Sequence, residues 1–258
     1  VFIVILSLGS CNSKFQKVMK NKDTDYKIKM AEEYYKQKKY VNAQQLFESV
    51  INFVKGTPRY EELYLMYANS YYNDKDYDNA ENLFKTFIEY FPNSTKTEEV
   101  EYLRAYTYFL RSPKAELDQT TTNRTIQLMQ SFIDAHPTSP RVKAATETID
   151  ACRAKLELKD YKTATLYYDL AFYRAAAISY GLLSDGYPDS KDADKYKLLT
   201  LKAYFKFAEN SFVEKQKERF DKVIEEYNDF VDRFSDSPLL SEAKKIKTQT
   251  DNILNTIK

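Results

Sequence analysis

The side chains able to carry covalent or acid–base chemistry are few and widely spaced. The 258 residues hold one histidine and two cysteines. His136 stands directly before Pro137, where a turn is expected, and no spacing joins it to Cys152, or to a Ser and an Asp, as a nucleophile with its base. No His/Cys grouping has the ligand spacing of zinc, and with only 4 glycines there is no glycine-rich loop to cradle a phosphate. Adjacent carboxylates such as Glu98-Glu99 and Glu225-Glu226 fall on predicted helices and face different directions, so they read as surface charge. Cys152 lies in the helical pattern AATETIDACRAKLEL and reads as a small buried apolar side chain. A non-enzymatic protein without metal or cofactor is the expectation.

Cys11 has a different setting. It follows the apolar run Val1 to Leu8, the length of a signal-peptide core and far short of the roughly 20 residues that a spanning helix needs. The stretch Leu8-Gly9-Ser10-Cys11 resembles the bacterial lipobox, in which small residues admit the backbone to a peptidase and the thiol accepts a diacylglyceryl group. A basic leading segment is expected before Val1 in the gene product. Two or more acyl chains hold a protein on a membrane where one binds only marginally, so a diacylglyceryl, N-acylated Cys11 would be a stable anchor. With Cys11 acylated, the sequence offers no second thiol for a disulfide with Cys152, and a disulfide framework is not expected. Residues 12–25 read as a polar tether.

The elements beyond it are helical. Scarce Gly and Pro, with abundant Lys, Glu, Ala, Leu and Tyr, point to an all-α chain with short connections. The 39 basic and 38 acidic residues are interspersed, so no summed field favours nucleic acid. Four joints recur, FPNS at 91–94, HPTS at 136–139, YPDS at 187–190 and FSDS at 234–237. Pro or Ser ends one helix there and Ser caps the next, with proline at the first helical position in Ser139-Pro140 and Ser237-Pro238. Before each joint three residues share one helical face: Ala80, Phe84, Phe87; Thr125, Met129, Phe132; Ala176, Tyr180, Leu183; Val223, Tyr227, Phe230. Ala43, Phe47 and Val50 repeat the motif upstream. The partner helices carry a small residue and, three positions on, Tyr: Ala31 and Tyr34, Ala68 and Tyr71, Ala105 and Tyr108, Ala164 and Tyr167; Ala203, followed by Lys206, departs from it.

These residues resemble the tetratricopeptide repeat over roughly residues 24–238, an α-solenoid of about five helix pairs closed by a capping helix. Small residues let paired helices approach and the aromatics fill the gaps beside them. The spacing is irregular: RSPKAELDQTTTN reads as a polar loop inside the third pair, and residues 141–158 as extra helix before the fourth, expected to bend or brace the solenoid. The chain divides into 1–11, 12–25, N-terminal repeats over 26–137 (three pairs) and C-terminal repeats over 138–258 (two pairs and the cap).

Repeats behind a lipobox, with HPTSPRVKAATETIDACRAKLE running into KDYKTATLYY and then YRAAAISYGLLSDGYPDS, resemble the BamD family of the outer-membrane β-barrel assembly machinery. The resemblance implies a scaffold anchored by its lipid on the periplasmic side of the outer membrane. Its partners would be an insertase with BamA-like periplasmic domains at the C-terminal repeats, the C-terminal segments of unfolded barrel proteins at the N-terminal repeats, and other assembly lipoproteins. No basic residue of the insertase contact can be assigned from the sequence.

In such pairs the first helix lines the concave face, so the expected peptide groove is Leu65, Asn69 and Tyr72 in the second pair and Tyr102, Tyr106 and Phe109 in the third, with Asn69 hydrogen-bonding a peptide backbone. Ile28, Glu32 and Tyr35 hold the same places in the first pair, without the lysine by which chaperone-binding repeats grip a peptide carboxylate. The alternative function is a repeat lipoprotein that binds sugars or peptides for nutrient uptake, against which the absence of Trp counts.

Overall fold

The computed structural model describes the backbone of residues 8–257 and side chains from Lys14 onward. The apolar run over residues 1–7 and the side chain of Cys11 lie outside the described residues. Among the described residues there are twelve α-helices and no strand. In chain order they are α1 (Leu8–Met19), α2 (Thr24–Lys36), α3 (Tyr40–Val50), α4 (Tyr60–Asn73), α5 (Tyr77–Tyr90), α6 (Thr97–Arg111), α7 (Thr120–Ala135), α8 (Val142–Asp169), α9 (Tyr173–Gly186), α10 (Ala193–Glu209), α11 (Val213–Arg233) and α12 (Leu240–Thr256). Consecutive helices pack as tetratricopeptide-like pairs, and α12 follows as the cap.

Alanine sets the closeness of the pairs. Ala31, Ala43, Ala68, Ala80, Ala164, Ala176 and Ala203 are fully buried, and Phe47, Phe84, Phe87 and Phe230 fill the space beside them with no exposed surface. A methyl group is all that these seams admit, because interiors pack at crystal density and leave no room for a longer side chain.

The four joints that recur in the sequence, those after α5, α7, α9 and α11, are each closed by the same bond. The joint's serine hydroxyl donates to a carboxylate on that pair's first helix: Ser94 to Glu61 at 2.6 Å, Ser190 to Glu157 at 2.5 Å, Ser237 to Asp194 at 2.6 Å, and Ser139 to Glu98. The same oxygen accepts the backbone N–H two residues on, at 3.0 to 3.1 Å. The serine therefore turns the chain toward the next helix and ties it to the previous pair, a larger role than the expected N-cap; at α12 the capping position is Leu239, without a side-chain cap bond. The acids also explain the fifth pair. Glu61, Glu98 and Glu157 each stand seven residues before Ala68, Ala105 and Ala164, and seven after Asp194 comes Leu201, followed by Tyr204. The fifth first helix keeps the register with leucine in place of alanine, and the expected Ala203 belongs to another row.

Inside three pairs the chain reverses over three residues, with Lys38, Lys75 and Ala171 at φ of 59°, 67° and 61°. None is glycine, although the left-handed region costs an L-residue about 1–2 kcal/mol. The bonds Lys39 N–H to Tyr34, Asp76 N–H to Tyr71 and Phe172 N–H to Tyr167, each 2.9 to 3.0 Å, satisfy the helix ends and hold these turns.

Two compact units are distinguished. The first comprises the chain through Pro113 together with Asp118–Cys152, and the second Lys114–Leu117 together with Arg153–Lys258. The division expected between residues 137 and 138 thus moves to Cys152 and Arg153, inside α8. The cause is packing, since Ala145 and Ile149 of α8 share a cluster with Tyr102, Ala105, Met129 and Phe132. As the pattern of residues 141–158 implied, α8 is one helix of 28 residues. The loop between α6 and α7 is not wholly solvated: Ala115 and Gln119 are buried. Within the second unit the Leu117 carbonyl accepts from Lys159 Nζ at 2.6 Å, and Glu116 pairs with Lys162. The expected tether is shorter than 12–25, because α1 runs through Met19 and buries Phe15, edge-on to Tyr34 at 5.8 Å, and Val18.

Candidate functional site

On the first unit α4 and α6, the first helices of the second and third pairs, carry the predicted peptide-facing residues. Tyr72, Tyr106 and Phe109 are half-buried and form an aromatic series with Tyr102. Tyr102 and Tyr106 stack at 5.8 Å with 13° between their planes, and Phe109 lies 5.4 Å from Tyr106. Tyr72 is 5.9 Å from both Tyr77 and Phe84. Burial, then the neighbouring Tyr106, Tyr77 and Tyr102 phenols, push its hydroxyl up to about 12, against the opposing charge of Arg141. Tyr72 therefore presents a neutral phenol, a donor that an extended peptide backbone can use.

Two expected members sit differently. Tyr102 is buried at 6% exposure, covered by Tyr106, Phe132 and the Arg141 guanidinium, which lies 4.8 Å over its ring. It supports the face rather than opening onto it. Leu65 packs against the core of its own unit. Asn69 is half-buried and makes no side-chain hydrogen bond with the described residues, so its amide is available. In the first pair Ile28 is buried at 1% exposure, Glu32 pairs with Arg59, and the Tyr35 hydroxyl accepts from Asn73 at 3.4 Å. The face does not continue there as the repeat spacing implied.

Sequence reasoning missed Arg141 and Glu99. Arg141 donates from Nε to Glu99 at 2.8 Å and from a second nitrogen to the other carboxylate oxygen, a bidentate pair that raises the guanidinium pKa further. Arg141 follows Ser139-Pro140, and a residue read as the first of the extra helix over 141–158 hides its use as a cation laid on a tyrosine. His136 donates from Nε2 to the Glu101 carboxylate at 2.6 Å and rests on Phe132 at 5.1 Å, so it closes the joint. Cys152 is buried in α8, as its helical pattern implied. No group of three His, Cys, Asp or Glu able to hold a metal occurs among the described residues. No helix among them is long and apolar enough to cross a membrane.

In the second unit the charge is organised around Lys197, only 7% exposed, which donates to Glu226 at 2.6 Å and also pairs with Asp229. Burial alone would raise the Asp229 carboxyl. Hydrogen bonding and charge from Lys197, joined by Arg233, outweigh it and hold the group below its ordinary value.

Alanine-seamed helix pairs, serine–carboxylate joints and an aromatic first-helix face define a tetratricopeptide-like repeat protein. A family model, YfiO, described as an outer membrane lipoprotein, matches residues 20–220. The chain belongs to this family of outer membrane lipoproteins. No curated protein matches it significantly. Among solved structures, a variant of a putative kinesin light chain with nearly identical tetratricopeptide-like repeats, from Podospora anserina, shares 10% identity over 82% of this chain and 95% of its own, with a TM-score of 0.34. So loose a likeness carries no weight for function.

Proposed function

We propose that the protein is a non-enzymatic docking platform of the outer-membrane β-barrel assembly machinery, held at the periplasmic side of the outer membrane by lipid on Cys11. The observation that carries this reading is the family match across residues 20–220, which spans helices of both units. The resemblance of the joint sequences to the BamD family supports the assembly role. On this reading the first unit receives the C-terminal segments of unfolded barrel proteins along Asn69, Tyr72, Tyr106 and Phe109. The aromatic series suits an extended segment ending in an aromatic residue, which stacks edge-to-face or offset at such distances. The second unit holds the insertase, a BamA-like protein with periplasmic domains, and other lipoproteins of the complex bind the remaining surface.

The test is recovery of partners from detergent-solubilised envelopes with tagged full-length protein. A β-barrel insertase with several periplasmic domains is the expected catch. Recovery of a nutrient importer in its place would overturn the assembly role and favour uptake of sugars or peptides.

A further inference from the structure

The near-equal totals of basic and acidic residues conceal an uneven distribution. Residues 14–22 hold Lys14, Lys17, Lys20 and Lys22 and no carboxylate, and residues 14–39 hold nine lysines against four carboxylates, a net +5 in a chain whose total is +1. The rest of the chain therefore carries −4. Eight of the nine lysines are exposed, with Lys27 half-buried, and none forms an ion pair with the described residues. Three of the four carboxylates are engaged elsewhere: Glu32 pairs with Arg59, Glu33 accepts from the Gln37 amide at 3.0 Å, and Asp23 caps α2 by accepting from Tyr26 N–H at 3.1 Å.

Packing collects these cations. Phe15 of α1 and Lys39 Nζ both lie 5.8 Å from the ring of Tyr34 in α2. Lys14 and Lys17, on either side of Phe15, are thereby brought to the same end of the first pair as Lys36, Lys38 and Lys39, which follow Tyr34. Phe15 and Val18 are buried, so α1 turns apolar side chains to its unit and leaves its lysines in solvent. Val41, in the first turn of α3, adds an apolar side chain that is 49% exposed. Cys11 stands about one helical turn before Phe15. Ammonium groups with no carboxylate to give up are drawn to an anionic surface within a Debye length, and an acyl anchor at Cys11 would bring the headgroups that close.

We propose that the lysines of α1 and of the turn between α2 and α3 hold the first helix pair against anionic phospholipid headgroups, a second membrane attachment beside the acyl chains. The inference goes beyond the docking function and rests on the anchor reading only for bringing this surface within reach. A carbonate wash strips this attachment, because alkali discharges lysines, and leaves the acyl one.

The probe is two vesicle preparations, phosphatidylcholine alone and phosphatidylcholine with an equal part of phosphatidylglycerol. Each is sedimented with the full-length Cys11→Ser protein, which has no acyl chain to insert. Phosphatidylglycerol should raise binding at least about tenfold, and the gain should fade as salt rises. Lys14→Gln/Lys17→Gln/Lys36→Gln/Lys38→Gln should abolish the gain with the melting curve in place. Lys191→Gln/Lys217→Gln/Lys244→Gln/Lys245→Gln, which removes the same charge from exposed lysines of the second unit, should keep it. Equal binding to the two preparations overturns the proposal, as does equal loss in the two variants, or binding to a polyglutamate peptide with none to vesicles. The anchor is judged separately. A wild type without lipid on Cys11 ends the anchor reading alone if the Cys11→Ser protein still prefers phosphatidylglycerol; loss of that preference in a chain acylated in cells ends this proposal alone.

Discussion

Asp229 shows how a single carboxylate ties charge to stability in the second unit. Its folded pKa lies below the ordinary 3.8 because Lys197 and Arg233 outweigh the effect of burial. In the pH range just under 3.8 the unfolded chain binds more protons at this position than the native one, so the contribution is complete above that range. It is lost as pH falls through the folded value. Asp229→Asn should therefore melt below the wild type at neutral pH, with the gap closing in acid; a gap of constant width measured by calorimetry from pH 7 to 3 would show that the pair contributes nothing. Little of this was legible beforehand. Lys197 and Glu226 are 29 residues apart, and a lysine on an amphipathic helix reads as solvated until packing buries it. Arg141 was hidden for the same reason, since Glu99 reaches it from 42 residues away in another helix. Tyr72, Tyr106 and Phe109 were legible because their shared face follows from the repeat phase alone, whereas the covering of Tyr102 and the docking of Leu65 depend on neighbours that periodicity does not reveal.

At the scale of the element, the second helices were the clearest part of the sequence. Ala80, Phe84 and Phe87 are completely buried as their spacing required, and only Tyr227 of the corresponding aromatics stays half-buried. Ala80→Leu should force the seam of α4 and α5 apart and cost roughly 1 to 3 kcal/mol in chemical denaturation; a wild-type midpoint would mean that the helices touch elsewhere. The joints were legible as helix boundaries, yet their bond to a distant acid was not. Ser190→Ala removes both the donor to Glu157 and the acceptor for Asp192 N–H, and should cost about 1–2 kcal/mol. Glu157 retains the Tyr196 hydroxyl at 2.7 Å, so a cycle with Glu157→Gln should return a coupling smaller than either single loss. Additive losses would place the two groups in separate roles. The tight turns escaped notice because Lys38, Lys75 and Ala171 occupy backbone conformations that glycine usually announces.

For the whole molecule, the two units have separate apolar clusters, Phe15 to Val100 and Tyr102 to Ile149 in one, Ala164 to Ala203 and Leu198 to Ile246 in the other. Cys11→Ser should leave the melting curve unchanged while moving the protein from the membrane fraction to the soluble one; persistence in the membrane pellet after a carbonate wash would exclude acylation as the attachment. The fold class was readable from composition and punctuation, but the boundary between units was not, because an uninterrupted helix offers no Gly, Pro or polar break to mark where one cluster yields to the next.

The joint serine has one more implication. Acceptor and donor of its bond belong to the same helix pair, 33 residues apart in two of the four cases. A gene segment copied from acid to serine would bring both halves of its own clasp, needing no matching change in older copies. Such tandem growth lengthens the array without weakening what was already there, and the extra residues at 112–119 and in α8 leave every clasp intact.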